Sequence, residues 1–391
     1  MNTPVNVSQR LTPILDAFSN QFHKAPAGTH RVGSPLGAWC LLAFIAADEK
    51  NPAPEVLENL GCSTTEAKNI LLRLLKEKPD AVALAVNSWL NPEVAGLQSF
   101  ADWMSDVKEF NGTNIAIPAQ AELDHWVDKE SLGLISEFPV EIDPKIFLGL
   151  FATVIATDIK WKAPFRLLDD GEIGGAWNVK KVLHDESAYT TFIHNDETHG
   201  LFAVHEAKST GDGLSVFSVI ALDESVSEAD TMTVARAVAT GQTVKVDLRS
   251  LELGEHGSAL EIQTKTSTNS NYQYSTRLPA WKTANEYDLT EAGLGFVESC
   301  ERFNDIEHKA VFAQVAMAEY NAVGFKAAAL TFGMVMRTAA VAKSYEVRKA
   351  IVKFNHPYAV VAVTGNGTGV WDAIPVFDGW ITEAVEAEIS E

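Results

Sequence analysis

From about Leu11 to Ala81 apolar residues recur at helical spacing, with polar residues on the opposite faces. A-W-C-L-L-A-F-I-A-A, from Ala38, has no polar face and reads as a buried segment of that helical stretch. T-T-E-A-K-N-I-L-L-R-L-L-K, from Thr64, predicts an amphipathic helix that opens on a Thr cap with an acid in its first turn. Beyond Phe147 the pattern changes. L-F-A-V-H-E-A, L-S-V-F-S-V-I-A-L, V-K-V-D-L and A-I-V-K-F are β-branched and aromatic runs of strand length. The first part is therefore helix-rich, and the second is strand-rich with helices between. No internal repeat or low-complexity linker divides them, which predicts a single α+β unit over 1–391 and argues against a regularly alternating, doubly wound sheet.

One stretch fits neither texture. E-Y-N-A-V-G-F-K-A-A-A-L-T-F-G-M-V-M, Glu319 to Met336, begins like a buried strand and continues as small apolar residues without helix caps. Ala327, Ala328 and Ala329 favour helix, whereas Gly324, Phe325, Thr331 and Gly333 weaken it.

Composition narrows the functional classes. With 52 acidic against 31 basic residues the formal charge is −21, and no basic patch is visible in the sequence, so neither nucleic acid nor a membrane is an expected partner. The N-terminus lacks an export signal and no run reaches membrane-span length, which predicts a cytoplasmic protein. Cys40, Cys62 and Cys300 are far apart and odd in number, as expected of reduced thiols rather than of a disulfide framework or metal site.

Three motifs suggest chemistry and have plainer readings. G-N-G-T-G, Gly365 to Gly369, resembles part of a dinucleotide fingerprint, but V-W-D-A-I-P-V-F after it reads as strand, so a hairpin turn is expected. G-S-P-L-G around Ser34 lacks the spacing of a nucleophile elbow and reads as structural. H-N-D-E-T-H-G, holding His194 and His199, has no metal-ligand spacing and reads as an exposed loop. The triplets at Asn6, Asn111 and Asn366 would matter for glycosylation only on export.

Several segments, taken in order, resemble the serpin family over nearly the whole chain. S-P-L-G-A at Ser34 is similar to the family's S-P-L-S-I, and A-V-N-S-W-L at Ala85 to its A-N-S-L-W-V strand. D-H-W-V-D-K-E-S-L-G-L-I from Asp124 is similar to I-N-x-W-V-x-x-x-T-x-G-x-I, and I-K-W-K-A-P-F, which contains Trp161, to F-K-G-x-W-x-x-P-F. L-P-A-W-K from Leu278, V-K-F-N-H-P-Y from Val352 and P-V-F-D-G-W-I from Pro375 resemble the family's L-P-K-F-K, V-x-F-x-R-P-F and P-L-F-x-G-x-V. The chain is thus identified as a divergent member, of prokaryotic type. At the family's shutter, Ser34 is retained while Gln314 and Thr153 stand where His and Asn are usual. Trp161 would belong to the neighbouring breach.

The resemblance implies a serpin fold of three β-sheets and about eight or nine helices, with an exposed reactive centre loop over 325–350. Q-V-A-M-A-E-Y-N-A-V-G aligns with the family's H-K-A-x-x-E-V-N-E-E-G, so Gly324, Phe325, Lys326, Ala327, Ala328, Ala329 and Thr331 become its hinge. Alternate residues Phe325, Ala327, Ala329, Thr331, Gly333 and Val335 are uncharged and mostly small, as a face to be buried in a sheet requires, while Lys326 falls on the other face. Phe325 is bulkier than the family's usual Thr or Ser, so slower insertion is expected. The implied function is a suicide-substrate inhibitor of a serine protease, with cysteine proteases as a second target class. It would be monomeric and metastable, and would use no catalytic residue, cofactor or metal. Counting from Gly324 places the bait bond at Thr338-Ala339, with Arg337-Thr338 one step earlier. Counting back from Lys353 places it near Glu346, with Lys343 and Arg348 as further cut sites. A non-inhibitory binding or storage protein on the same fold is the alternative. A Ser or Cys hydrolase is disfavoured, because no nucleophile-base arrangement surrounds Cys40 or Ser34.

Overall fold

The computed structural model describes residues 7–24, 28–110, 112–138, 140–143, 147–169, 173–174, 177–187, 189–267, 273–290, 292–303, 312–325, 345–365 and 369–388. Helices dominate its first part: α1 (Val7–Phe22), α2 (Pro35–Ile45), α3 (Pro54–Leu60), α4 (Thr64–Lys76), α5 (Gln98–Val107) and α6 (Gln120–Glu130), followed later by α7 (Glu228–Ala239) and the short α8 (Phe296–Ser299). Leu11, Ile14, Leu15, Phe18 and Phe22 make the buried stripe of α1, whereas α2 is buried on every side, as its sequence demands. The cap of α4 is Ser63 and not the Thr after it: Ser63 Oγ accepts from Glu66 N, which releases Thr64 to begin the helix.

The first sheet is antiparallel throughout, in the order β1 (Arg31–Gly33), β19 (Pro375–Ile381), β18 (Tyr358–Thr364), β10 (Leu214–Ala221), β9 (Gly200–Lys208) and β8 (Thr191–Asp196). Its strands β10, β18 and β19 are buried along their whole length because α7 covers one face and the main core, with α2, the other. The second sheet runs β11 (Gly254–His256), β12 (Leu260–Ser267), β17 (Tyr345–Lys353), β13 (Gln273–Leu278), β7 (Lys181–Asp185) and β6 (Arg166–Asp169), with β13 and β17 parallel. The remaining strands form two ladders. One is β14 (Trp281–Asp288), β15 (Ala313–Tyr320), β16 (Gly324–Phe325) and β5 (Ile159–Lys160), and the other is β3 (Thr113–Ile115), β2 (Ala83–Leu90) and β4 (Gly149–Ala156). Since β4 runs within two residues into β5, these two ladders are halves of a third sheet that is parted along its middle.

Two motif readings change in detail. Gly365 and Gly369 lie between antiparallel strands, β18 and β19, with residues 366–368 of the expected turn outside the described residues, and the next strand starts only at Pro375, because Gly369–Trp371 form a 3-10 turn that buries Val370 and Trp371. The turn between His194 and His199 closes the β8–β9 hairpin, and His194 is buried there, its Nδ1 accepting from Val244 N at 3.0 Å. Among the described residues no group of His, Cys, Asp and Glu could hold a metal ion, and no helix is long and apolar enough to cross a membrane.

A buried charge network joins the first sheet to its helices. Asp378 on β19 accepts from His23 Nε2 at 2.7 Å, and Arg236 Nη1 on α7 lies 3.5 Å from its other oxygen. Arg236 also holds Asp16 of α1 at 2.6 Å, and Arg31 of β1 pairs with Glu228 of α7. Burial pushes the Asp378 carboxyl up, but His23 and Arg236 outweigh it and hold it below the usual carboxylate range. Asp378→Asn removes the buried carboxylate that His23 and Arg236 share and leaves Arg236 only the half-exposed Asp16, so we expect a stability loss of about 3–5 kcal/mol, measured as a lowered urea midpoint. A loss below about 1 kcal/mol would show that the network is dispensable.

Candidate functional site: the parted sheet

β4 and β15 are each eight residues long, and among the described residues no ladder joins them. A cavity of about 170 Å³ lies between them, lined by Val154, Ala156, Ala316 and Ala318 of the two strands and by Phe138 and Phe325. α2 backs the slot on its inner side, and α6 packs over β2 and β4, where Trp126 meets Trp89 edge-on at 5.0 Å. From Ala152 in β4 and Ala316 in β15 onward, buried residues alternate with more accessible ones, as expected of strands with one face on the core.

The two banks are fastened to the same helical turn. Ser34 caps α2: its Oγ accepts from Gly37 N at 3.0 Å and donates to Val376 O on β19 at 2.7 Å. Gln314, on β15, meets the Ser34 backbone twice, Oε1 accepting from Ser34 N and Nε2 donating to Ser34 O, each at 2.9 Å. Its carboxamide thus behaves like a paired strand residue. Thr153, on β4, donates to Gly37 O at 2.9 Å. Gly37 permits this convergence, since a Cβ there would lie 3.0 Å from Ile155 Cγ2 and 3.2 Å from Ser34 Oγ. The structure therefore brings together Ser34, Thr153 and Gln314, which lie far apart in the sequence.

At the other end the slot is closed by β16, which bridges β15 and β5 through Tyr320↔Phe325, Gly324↔Lys160 and Phe325↔Ile159. Asn321 makes the turn: its Oδ1 accepts from Val323 N and Gly324 N at 3.0 Å, and its N donates to Gly324 O at 3.1 Å. Trp161 is buried against this turn, donating from Nε1 to Asn321 O and from its backbone N to Val323 O, both at 2.9 Å. Tyr320 stacks on Trp281 at 5.6 Å and meets Trp161 at 5.0 Å. Phe165 continues the cluster to His205, whose Nε2 lies 3.1 Å from Asp185 Oδ2. Burial raises the Asp185 carboxyl, but His205, Thr190 Oγ1 and Ser187 N together outweigh it and bring it to about 2. Sequence reasoning missed the Asp185–His205 pair and the Trp281–Tyr320 stack, because their members lie on different strands with no shared motif.

Several expectations about the loop change. Phe325 is already inside the sheet, 5 % exposed, with its ring 6.1 Å from Trp281 and 6.4 Å from Phe377. It needs no new room, so the reason to expect slow insertion from this residue falls away. The boundary 325–350 is too wide at both ends, since Phe325 belongs to β16 and residues 345–350 to β17. Glu346 and Arg348 are paired strand residues, not loop cut sites; the count back from Lys353 overshoots because the strand is long. Lys326, Ala327, Ala328, Ala329, Thr331, Arg337, Thr338, Ala339 and Lys343 lie outside the described residues. The hydrolase reading gains nothing, because the Ser34 hydroxyl is committed to two backbone groups and burial drives the Cys40 thiol far above its ordinary pKa.

A sheet parted between two long strands, closed at one end and followed by a chain that returns in another sheet, defines the serpin fold, and the chain adopts it. No protein-family model and no curated protein sequence matches the chain. Among solved structures it is similar to the thermophilic serpin tengpin in the native state, at 14% identity and TM-score 0.64, over 98% of this chain and 95% of that one. It is similar to a cleaved serpin 42Da at 14% identity and TM-score 0.65, over 98% of each chain. Thyroxine-binding globulin in complex with thyroxine matches at 13% identity and TM-score 0.62, over 97% of this chain and 100% of that one.

Removing the Gln314 carboxamide as Gln314→Ala strips two hydrogen bonds from Ser34, so we expect about 1–3 kcal/mol lower stability by urea unfolding. The Asp185 pair adds a pH signature. Its folded carboxyl titrates near 2 against an ordinary 3.8, so its stabilisation is complete above about pH 4 and is lost as pH falls from there towards 2. Compared with Asp185→Asn, the wild-type midpoint should drop by an extra amount equivalent to about 2 kcal/mol across that window. Parallel acid profiles would remove Asp185 from the account.

Proposed function

We propose that the protein inhibits serine-type endopeptidases as a suicide substrate, with the chain after β16 as the bait. The observation that carries this reading is the slot itself: among the described residues β4 and β15 present facing edges that have no ladder between them, and Phe325, where the described chain breaks off, stands at the slot's closed end. A protease that attacks a bond in 326–344 forms an acyl-enzyme and releases the C-terminal side of the cut. The freed segment then extends from Phe325 down the slot as a new central strand and takes the enzyme with it. Phe325 already points its ring into the slot cavity, so Ala327, Ala329, Thr331 and Gly333, in the same alternation, supply the small uncharged face that the slot accepts. About fourteen strand residues at about 3.3 Å each carry the enzyme some 46 Å. New ladders on two edges, at about 0.5–1.5 kcal/mol per hydrogen bond, supply on the order of ten kcal/mol. The uncut state is then held by kinetics.

Within that chain, Arg337 suits an acidic specificity pocket, and Thr338 or Met336 an apolar or small one. A ligand carrier is the second reading, favoured by the cavity and by the same fold in the thyroxine-bound globulin. Limited proteolysis separates the two. We expect a cut within 326–344, located by the mass of the C-terminal fragment, to raise the melting temperature by tens of degrees, as filling the slot predicts. An unchanged melting temperature after a clean cut there sinks the trap and leaves the carrier.

A further inference from the structure

Five buried polar atoms gather in the core behind the slot's closed end, and none has a hydrogen-bond partner among the described residues: His205 Nδ1, Ser218 Oγ, Tyr320 OH, Tyr358 OH and Trp281 Nε1. Their residues are at most 1 % exposed. They come from β9, β10 and β18 of the first sheet and from β14 and β15 beside the slot. Register puts them together. His205 and Ser218 are directly opposed on β9 and β10, so their side chains share one face, about 5 Å apart at Cβ. Trp281 and Tyr320 are opposed on β14 and β15 with their rings stacked. The Phe165 ring bridges the two pairs, 5.4 Å from His205 and 5.7 Å from Tyr320. Burial drives the Tyr320 phenol far above its ordinary pKa; Tyr358 and Asp185 push it the same way and Ser218 opposes them. Burial likewise raises Tyr358, with Trp281 opposing. Influences of this kind act between near neighbours.

Burying one polar group without a partner is costly, and five in one place call for a guest that shares their bonds. We propose that this seat holds internal water, with the first molecule at the corner of His205 Nδ1, Ser218 Oγ and Tyr320 OH, and that the water latches the slot's closed end to the first sheet. The inference does not depend on the trap reading. The donor set selects the guest. Asp185 accepts from His205 Nε2 at 3.1 Å, which leaves Nδ1 of the neutral ring an acceptor. Trp281 Nε1 can only donate, whereas the three hydroxyls do both. The guest must therefore donate and accept at once, as water does. None of the five atoms carries a formal charge, so neither a metal cation nor an anion is matched. Three partners is the usual number for a buried water. Tyr320 ends β15, and Asn321 after it makes the turn on which Trp161 and Gly324 are fastened. Displacing Tyr320 breaks the corner, so the guest resists opening at β16.

A high-resolution crystal structure of the uncut protein tests the seat. We expect density for water about 2.7–3.2 Å from at least two of the three corner atoms. A direct His205–Ser218 or Ser218–Tyr320 hydrogen bond in its place, or no density, overturns the seat. The latch is read by amide hydrogen exchange in Ser218→Val, whose methyl groups take the place of the guest, and in Tyr320→Phe, which loses the corner hydroxyl. Tyr320→Phe keeps the ring and its stacking, so the measurement stands even if Ser218→Val does not fold. We expect the amides of Trp161, Val323 and Gly324 to exchange about tenfold faster than in wild type, and the urea midpoint of Tyr320→Phe to fall. A hydroxyl that bonds nothing costs nothing to remove, so an unchanged or raised midpoint refutes the seat. Unchanged exchange at those amides refutes the latch.

Discussion

Backbone N–H and C=O groups along a strand edge demand partners, and the facing edges of β4 and β15 are where this fold leaves that demand open. The surrounding structure controls the opening. α2 ties both banks from below through Gln314, Thr153 and Ser34, and α6 roofs β2 and β4 from the outside. β16 and β5 pin one end with three residue pairs around the Trp161–Asn321 turn. The opening is therefore long, narrow and in line with β16.

Such an opening persists only against a rigid background. The first sheet supplies it through fully buried strands and the network centred on Asp378, which links β19 to α1 and α7. Buried ion pairs add little net stability over apolar packing, but they tolerate little displacement, and this one is centred on β19, the strand that accepts the Ser34 hydroxyl. The bonds at Ser34 are single hydrogen bonds of ordinary length, easily exchanged. Strong interactions thus define the frame, and ordinary hydrogen bonds fasten the two banks of the slot to it.

The second sheet sets the length of chain available. β12 draws Tyr345 to Arg348 into a ladder that β13 does not reach, which shortens what would otherwise be free chain. The two counts of the bait position disagree for this reason: one starts from the hinge, the other assumes that little strand precedes Lys353. The loop is bounded on one side by β16 and on the other by a strand that, among the described residues, pairs with β12 from Tyr345 and with β13 only from Lys349.

Helix content, the wholly apolar α2, the strand-rich second half and the single α+β unit were all legible in the sequence, because burial writes itself as periodicity. Ser34, Thr153, Gln314 and Trp161 were also legible, though only by resemblance; no local pattern says that Gln314 will imitate a strand or that Thr153 will reach Gly37. The cap at Ser63 was misplaced by one residue, since Thr64 has the same chemistry and only backbone geometry chooses between them. What tertiary structure alone decided is long-range pairing: that β4 and β15 stand apart, that the Phe325 ring is already housed, that Asp185 meets His205, and that β17 pairs with β12 from Tyr345 but with β13 only from Lys349. A strand's sequence shows which residues want burial, but it carries no mark of which other strand will satisfy its backbone, or of whether any will.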